Sequence, residues 1–401
     1  MDFTKDLLYN ICCMQIISER KKKFMKNIGK KISALALTAV LTCSLASCTL
    51  GPGKWSYKTD ISEISAGSWI YNTYQSYNEA VSKITEANKD NEDFDAQLID
   101  MSKEKIDDKN AVDWIFDEAK DKCISLLTAE KLVKDKGIVI DDEQIKTTAD
   151  MYIQYYYKGS DDSLAFYEKL GVSADSFGEC VTRYNYLYQE LFKKIYGKDG
   201  EKEVSDADVQ KYYADSYISY YYIACSLKTT DEDGNSVDVD GETQEKNKTA
   251  FNKYRNMINN DKKTTADIEE QYKTDFSAES VPSSSNKILK TDFDESSLSD
   301  ELKKAIKENK PGQASVTTLD DTLYFIYTDN MSELAKKIKY SEDAAEGETD
   351  NIDKSNIVYS MKKDEFDEYL EGEKKALKYE TNDACISAYT VDRAIKIAKQ
   401  G

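Results

Sequence analysis

Residues 217–227 read YISYYYIACSL, and this stretch decides the fold. Its β-branched and aromatic side chains fit a buried strand. The long patterns before it are helical, so the chain changes class here. Just upstream, Ser205-Asp206-Ala207-Asp208 reads as a capping box in which Ser205 and Asp208 serve each other's backbone amides. It opens a short helix over 207–214. Downstream come an acidic loop at 229–245, helices over 246–259 and 265–273, and a Ser-rich loop at 276–286. A helix over 298–309 follows, then a Pro311-Gly312 turn. Strands over 314–317 and 322–328 are joined by Asp320-Asp321.

Outside this stretch the pattern is helical. Ile70, Tyr74, Tyr77, Val81 and Ile84 recur at helical spacing. Residues 89–110 are polar and read as a loop. A long helix over 112–133 turns Ile115, Ala119, Cys123 and Val133 inward and ends at Gly137. Another spans 141–157, closed by Gly159. A further one runs to Ile195 with Phe177, Val181, Tyr184, Tyr188 and Leu191 on one face. Near the end, an acidic connector over 341–356 leads to a helix over 363–379, and 384–398 is mixed. No repeat of fixed period is present.

These readings give an α+β fold. A mainly helical domain is built from N- and C-terminal segments, with a small α+β module inserted between them. The boundaries are a signal segment at 1–47, a tether at 48–60, a helical domain at 61–215, the α+β module at 216–332, and C-terminal helices at 333–401 that pack on the helical domain. Within 1–47, Met25 stands where a signal peptide begins, so 1–24 read as an untranslated extension or as a long n-region, and on either reading they are set aside.

Composition limits the chemistry. The 401 residues contain no histidine, which removes Ser-His and Cys-His nucleophile systems and His-ligated metals. Net charge is −20. Residues 1–47 hold eight Lys/Arg and three Asp/Glu, which leaves 47 against 72 from Cys48 onward, a net of −25. Such a chain does not bind nucleic acid or anionic lipid through bulk charge. The 29 tyrosines offer apolar faces with a wet polar tip. Cys123, Cys180, Cys225 and Cys385 lie far apart; they are either disulfide-bonded, with three connectivities open, or buried thiols. Asp231 to Asp240 faintly follows a calcium loop but lacks its sixth-position Gly and twelfth-position Glu, so it reads as a solvated turn. No cofactor or metal motif is present.

Lys26, Lys30 and Lys31 precede an apolar run from Ile32, which ends in Leu45-Ala46-Ser47-Cys48. This order resembles the bacterial lipobox. The resemblance implies a lipoprotein cleaved before Cys48, with diacylglycerol and palmitate anchoring Cys48 to the extracytoplasmic face of the cell membrane.

Four further stretches carry a second resemblance. They are VSDADVQKYYADSYISYYYIACSL, LSDELKKAIKENKPGQASVTTLDDTLYFIYTDN, AGSWIYNTYQSYNEAV and YEKLGVSADSFGECVTRYNYLYQELF. In order, they resemble the PrsA-type and SurA-like foldases, which carry a parvulin rotamase module. The resemblance covers nearly the whole chain after Cys48. It implies a chaperone domain around a module of peptidyl-prolyl cis-trans isomerase type, with unfolded exported polypeptides as partners. The family's active-site positions fall on Tyr222, Leu298, Leu302 and Tyr324. Tyrosines stand at the two histidine positions, leucines at the apolar pocket, and SSSNKILK (283–290) replaces a Gly-Gly loop. The expectation is therefore a catalytically degenerate module in a lipid-anchored chaperone. The rival expectations are an active isomerase and a non-catalytic lipoprotein that binds a specific ligand or partner.

Overall fold

The computed structural model describes residues 54–345 and 351–399. Cys48 and the expected signal segment lie outside these residues. Among the described residues no helix is long and apolar enough to cross a membrane. The fold is mixed α+β and divides into two units: one takes the chain through Phe192 and again from Asp367, the other is Lys193–Phe366.

The first unit opens on β1 (Trp55–Lys58), paired antiparallel with β2 (Glu63–Ser65) on one side and with Glu380–Thr381 on the other. The expected tether therefore holds a strand, and Tyr57 within it is buried. Pairing with residues more than 300 positions away is invisible to a local reading. Helices α1 (Ala66–Ala87) and α2 (Ala111–Asp135) follow and pack together. Ser65 caps α1 by accepting the Ser68 amide at 2.9 Å. The most deeply buried stripe of α1 is Trp69, Thr73, Ser76, Ala80 and Ile84, while Tyr74, Tyr77 and Val81 are only half-buried. Trp69 is the hub. Its ring meets Tyr57 and Phe116 edge-on at 5.8 and 5.5 Å, and its Nε1 donates to the Tyr389 carbonyl at 2.9 Å.

Helices α3 (Asp142–Tyr152), α4 (Asp161–Leu170) and α5 (Ala174–Tyr196) complete the first half. The single helix expected over 141–157 changes to a π-helical turn at Ile153–Tyr157. The C-terminal part is more regular than expected, with helices Asp383–Ala388 and Val391–Ala398.

The second unit starts with the end of α5. Helix α6 (Asp206–Ser216) runs directly into β3 (Tyr217–Ser226). The α6 capping is one-sided: Ser205 takes the Asp208 amide, but the Asp208 carboxylate takes the Ser205 hydroxyl rather than its amide. A two-way box forms instead at α8, between Thr264 and Asp267. The chain continues through α7 (Gly241–Asn259), α8 (Thr265–Phe276), β4 (Ser283–Leu289), α9 (Lys290–Glu295), α10 (Asp300–Glu308), β5 (Gln313–Leu319) and β6 (Thr322–Thr328). The sheet is antiparallel throughout, in the order β4-β3-β6-β5.

Two expectations fail in this unit. The end of the loop expected at 276–286 is strand instead: from Ser283 the SSSNKILK segment forms β4 along the free edge of β3, while 277–282 holds no helix or strand. Edge pairing needs only backbone groups, and its Ser, Asn and Lys side chains face water, so it shows no apolar period. The module boundaries at 215/216 and 332/333 also do not hold. Helix α11 (Met331–Ala335) packs on α6. Helix α12 (Lys354–Ala376) begins nine residues before the expected 363. Its Lys354 bonds Asp206 at 2.7 Å, and Ser360 accepts from Tyr217 at 2.9 Å. Residues 333–366 thus belong with the second unit rather than with the helical domain, and only the chain from Asp367 returns to the first.

The first unit also encloses a carboxylate. Glu179 on α5 accepts the Ser68 hydroxyl at 3.0 Å, and Ser65 bonds Ser68 at 2.8 Å. Burial raises its pKa above 4.5; the nearby Glu130 and Asp175 raise it further, and the Ser68 bond and Arg183 oppose them. From about pH 4.5 up to the raised folded value, the folded state holds more protons than the unfolded state, so this group makes stability fall as pH rises. Urea denaturation across that window will show a smaller fall for Glu179→Gln and a more stable variant at neutral pH. Identical pH profiles would contradict this reading of Glu179.

Candidate functional site

The site is one face of the four-stranded sheet. Along β3 the side chains alternate. Tyr221, Ile223 and Cys225 face α7 and α8, where they pack with Phe251, Tyr254, Ile268 and Phe325. Ile218, Tyr220 and Tyr222 face the opposite way, toward α9 and α10. Both faces of this strand are thus covered by apolar groups.

The second face brings all four expected positions together. Tyr222 on β3 meets Tyr324 on β6 edge-on, with ring centroids 5.8 Å apart. Leu302 of α10 is buried 3% exposed, and Leu298 just before the helix is half-buried. Phe293, Ile306 and Ile326 form the floor, each at most 1% exposed. Tyr220 links the floor to Tyr222, stacking on it at 6.2 Å and meeting Phe293 at 5.4 Å. The sheet register sets a row across the four strands: Ser284, Tyr222, Ile326, Ser315. Thr317 stands opposite Tyr324.

Tyr222 and Tyr324 are half-buried, and neither hydroxyl is hydrogen-bonded among the described residues. The rings build the wall and the hydroxyls stay at the rim, as tyrosine's amphipathic shape favours. The cross-strand row carries two serine hydroxyls but no carboxylate, thiol or amine. Leu302 and Phe293 are packed beneath the rings, so what this face offers at its rim is the half-buried Tyr222 and Tyr324 rings with their hydroxyls. It supplies neither a nucleophile nor a general base.

Sequence reading had missed Tyr220, Phe293, Ile306 and Ile326. The alternation of Tyr220 and Tyr222 was a usable signal. Phe293 had none, being a lone aromatic in a polar segment, LKTDFDE.

The other sequence candidates are structural. The calcium-like stretch is a hairpin between Lys228–Thr230 and Ser236–Asp238, in which Asp231 accepts the amides of Asp233 and Asn235 at 3.0 and 2.8 Å. The four cysteines are free, with Cys123 and Cys385 buried. Burial pushes the Cys123 and Cys385 thiols up to about 12 and about 11, which makes them poor nucleophiles. Among the described residues no three Cys, Asp or Glu are grouped to hold a metal.

The first unit carries a groove between helices. It holds about 970 Å³ beside α1 and α2 and is lined by Glu79, Lys83, Lys105, Trp114 and Glu118, among others. The Lys83 ammonium stands 5.7 Å from the Trp114 ring centre, and Lys122 pairs with Glu79 at 2.9 Å. Its lining carries charges of both signs, Lys83 and Lys105 with Glu79, Glu86, Asp107 and Glu118, unlike the aromatic face of the sheet. No protein-family model matches the chain, and no curated protein matches it.

Proposed function

We propose that this chain is an exported, lipid-anchored, foldase-like protein that binds unfolded secreted polypeptides, and that its second unit holds a parvulin-like module with degenerate catalysis. The observation that carries the reading is the convergence of Tyr222, Leu298, Leu302 and Tyr324 on one sheet face. They come from two strands and the α10 region, spread over about a hundred residues of chain. The order of elements also supports it: a capped helix runs into the first strand, and α10, the Pro-Gly turn and a closing hairpin follow.

The degenerate part of the proposal rests on the groups present. Prolyl isomerisation needs no nucleophile; its barrier of ~18–20 kcal/mol falls when the amide is twisted and desolvated. Apolar side chains stand where the resemblance puts the proline pocket, but Leu302 and Phe293 are packed at 3% and 0% exposure. The Tyr222 and Tyr324 hydroxyls have no charged partner among the described residues, and the Lys307 ammonium beside Phe293 is paired with Asp294 at 2.6 Å, which leaves little to stabilise a twisted amide. An aromatic, hydroxyl-rimmed face suits weak and varied polypeptide segments. Anchoring at Cys48 rests on the lipobox resemblance, and no contact of the described residues bears on it.

Residues 49–401, assayed on a short Xaa-Pro peptide, will isomerise it at the uncatalysed rate while suppressing aggregation of an unfolded client. A rate well above background would establish the active-isomerase alternative. Neither activity, with selective saturable binding of one ligand, would establish the ligand-binding alternative. In the intact cell, labelled palmitate will enter the wild-type chain but not Cys48→Ala; equal labelling of both would remove Cys48 as the anchor.

A further inference from the structure

Among the described residues, five large apolar or aromatic side chains stand exposed: Leu98, Val139, Met151, Tyr155 and Tyr156. Three of them fall within six residues. Tyr155 and Tyr156 are 76% and 62% exposed, far above the other aromatics of their neighbourhood.

The π-helical turn is what displays them. Lys158 donates to the Ile153 carbonyl at 2.8 Å, closing an i to i+5 ring that inserts one residue into the turn. Tyr157 is driven inward, where its hydroxyl donates to the Val172 carbonyl at 2.9 Å and its ring stacks on Tyr167 at 5.2 Å. The two preceding tyrosines are left outside. Tyr156 lies on Tyr152 at 5.7 Å with rings 24° apart. Gly159 fits this turn because a Cβ there would lie 2.1 Å from the Tyr155 carbonyl oxygen. The outward pair thus stands on a rigid base, which lowers the entropy lost when a partner engages it.

The charge around the pair selects the partner. Residues 141–162 carry six exposed carboxylates, Asp141, Asp142, Glu143, Asp150, Asp161 and Asp162, against Lys146 and Lys158; Asp142 is paired with Arg183 at 3.1 Å and the other five remain. Tyrosine faces attract ammonium and guanidinium groups, and the surrounding field adds to that attraction. A second copy of this chain, or an anionic lipid surface, would bring like charge to the same patch; the chain carries −20 in all.

We propose that the Tyr155–Tyr156 face is a docking surface for basic, unstructured polypeptide segments, whose Lys and Arg side chains lie on the tyrosine rings within the acidic surround. It belongs to the first unit and stands or falls separately from the tyrosine face of the sheet.

The test is fluorescence anisotropy of a labelled, disordered Lys/Arg-rich peptide with the chain from residue 49. The basic peptide should bind, weaken as salt is raised, and lose roughly 5–30-fold in affinity with Tyr155→Ser/Tyr156→Ser, at an unchanged thermal midpoint. Tyr155→Lys alone should weaken it further still than Tyr155→Ser alone. Unchanged affinity in both variants would overturn the proposal in favour of diffuse acidity. Equal binding of a Glu-rich peptide would reduce the face to plain apolar docking. Sedimentation of a dimer that the double variant dissociates would assign the face to a second copy. Binding to lipid vesicles that the variant abolishes would assign it to a membrane. Absence of any binding would also overturn it.

Discussion

The second unit depends on one strand being buried from both sides. Tyr221 and Ile223 press on α7 and α8, while Tyr220 and Tyr222 press on α9 and α10. A strand apolar on one face needs only one covering layer; this one requires two, and so fixes where both helix pairs sit. It also lies between β4 and β6, so its backbone is paired on each side. The outer edge of β5 is closed by other means: the Asn259 amide on α7 both accepts from and donates to the Ala314 backbone, at 2.8 and 2.9 Å. That pair satisfies polar groups an edge strand would otherwise offer to another chain.

Tyrosine then sets what the second face can do. With no histidine in the chain, the polar groups on this sheet face are phenols and small hydroxyls, and the one ammonium beside Phe293, Lys307, is paired with Asp294. Phenol rings give large contact area with only two side-chain torsions to freeze, and their hydroxyls tolerate either water or a partner. This combination favours binding over bond-making chemistry. The same residue type serves differently in the first unit, where Tyr57 and Tyr157 are anchored inside and Tyr155 and Tyr156 lie out in solvent.

Elements with a strong period could be read from the chain. The helices α1, α2 and α5, the strand β3 and the closing hairpin all stand within a few residues of their expected places. What the sequence hid was set by partners distant in the chain. The SSSN run of β4 has no apolar alternation, and only β3 makes it a strand. Trp55–Lys58 needs Glu380–Thr381. The domain boundaries moved because Lys354 and Ser360 bond back to Asp206 and Tyr217. The π turn was hidden because consecutive tyrosines fit a regular helix equally well. At the site, Tyr222, Leu298, Leu302 and Tyr324 were reached through a family resemblance rather than through their chemistry. Their neighbours Tyr220 and Phe293 became visible only when the faces of β3 were known.

The central claim is that the Tyr222–Leu302–Tyr324 face holds unfolded polypeptide. The direct measurement is an NMR titration of the chain from residue 49 with an unstructured, proline-containing peptide. The account predicts that shift changes concentrate at Tyr222, Leu298, Leu302, Tyr324 and their strand neighbours, and that they saturate together. Saturating changes that leave these residues untouched and gather elsewhere, or no changes at all, would contradict it.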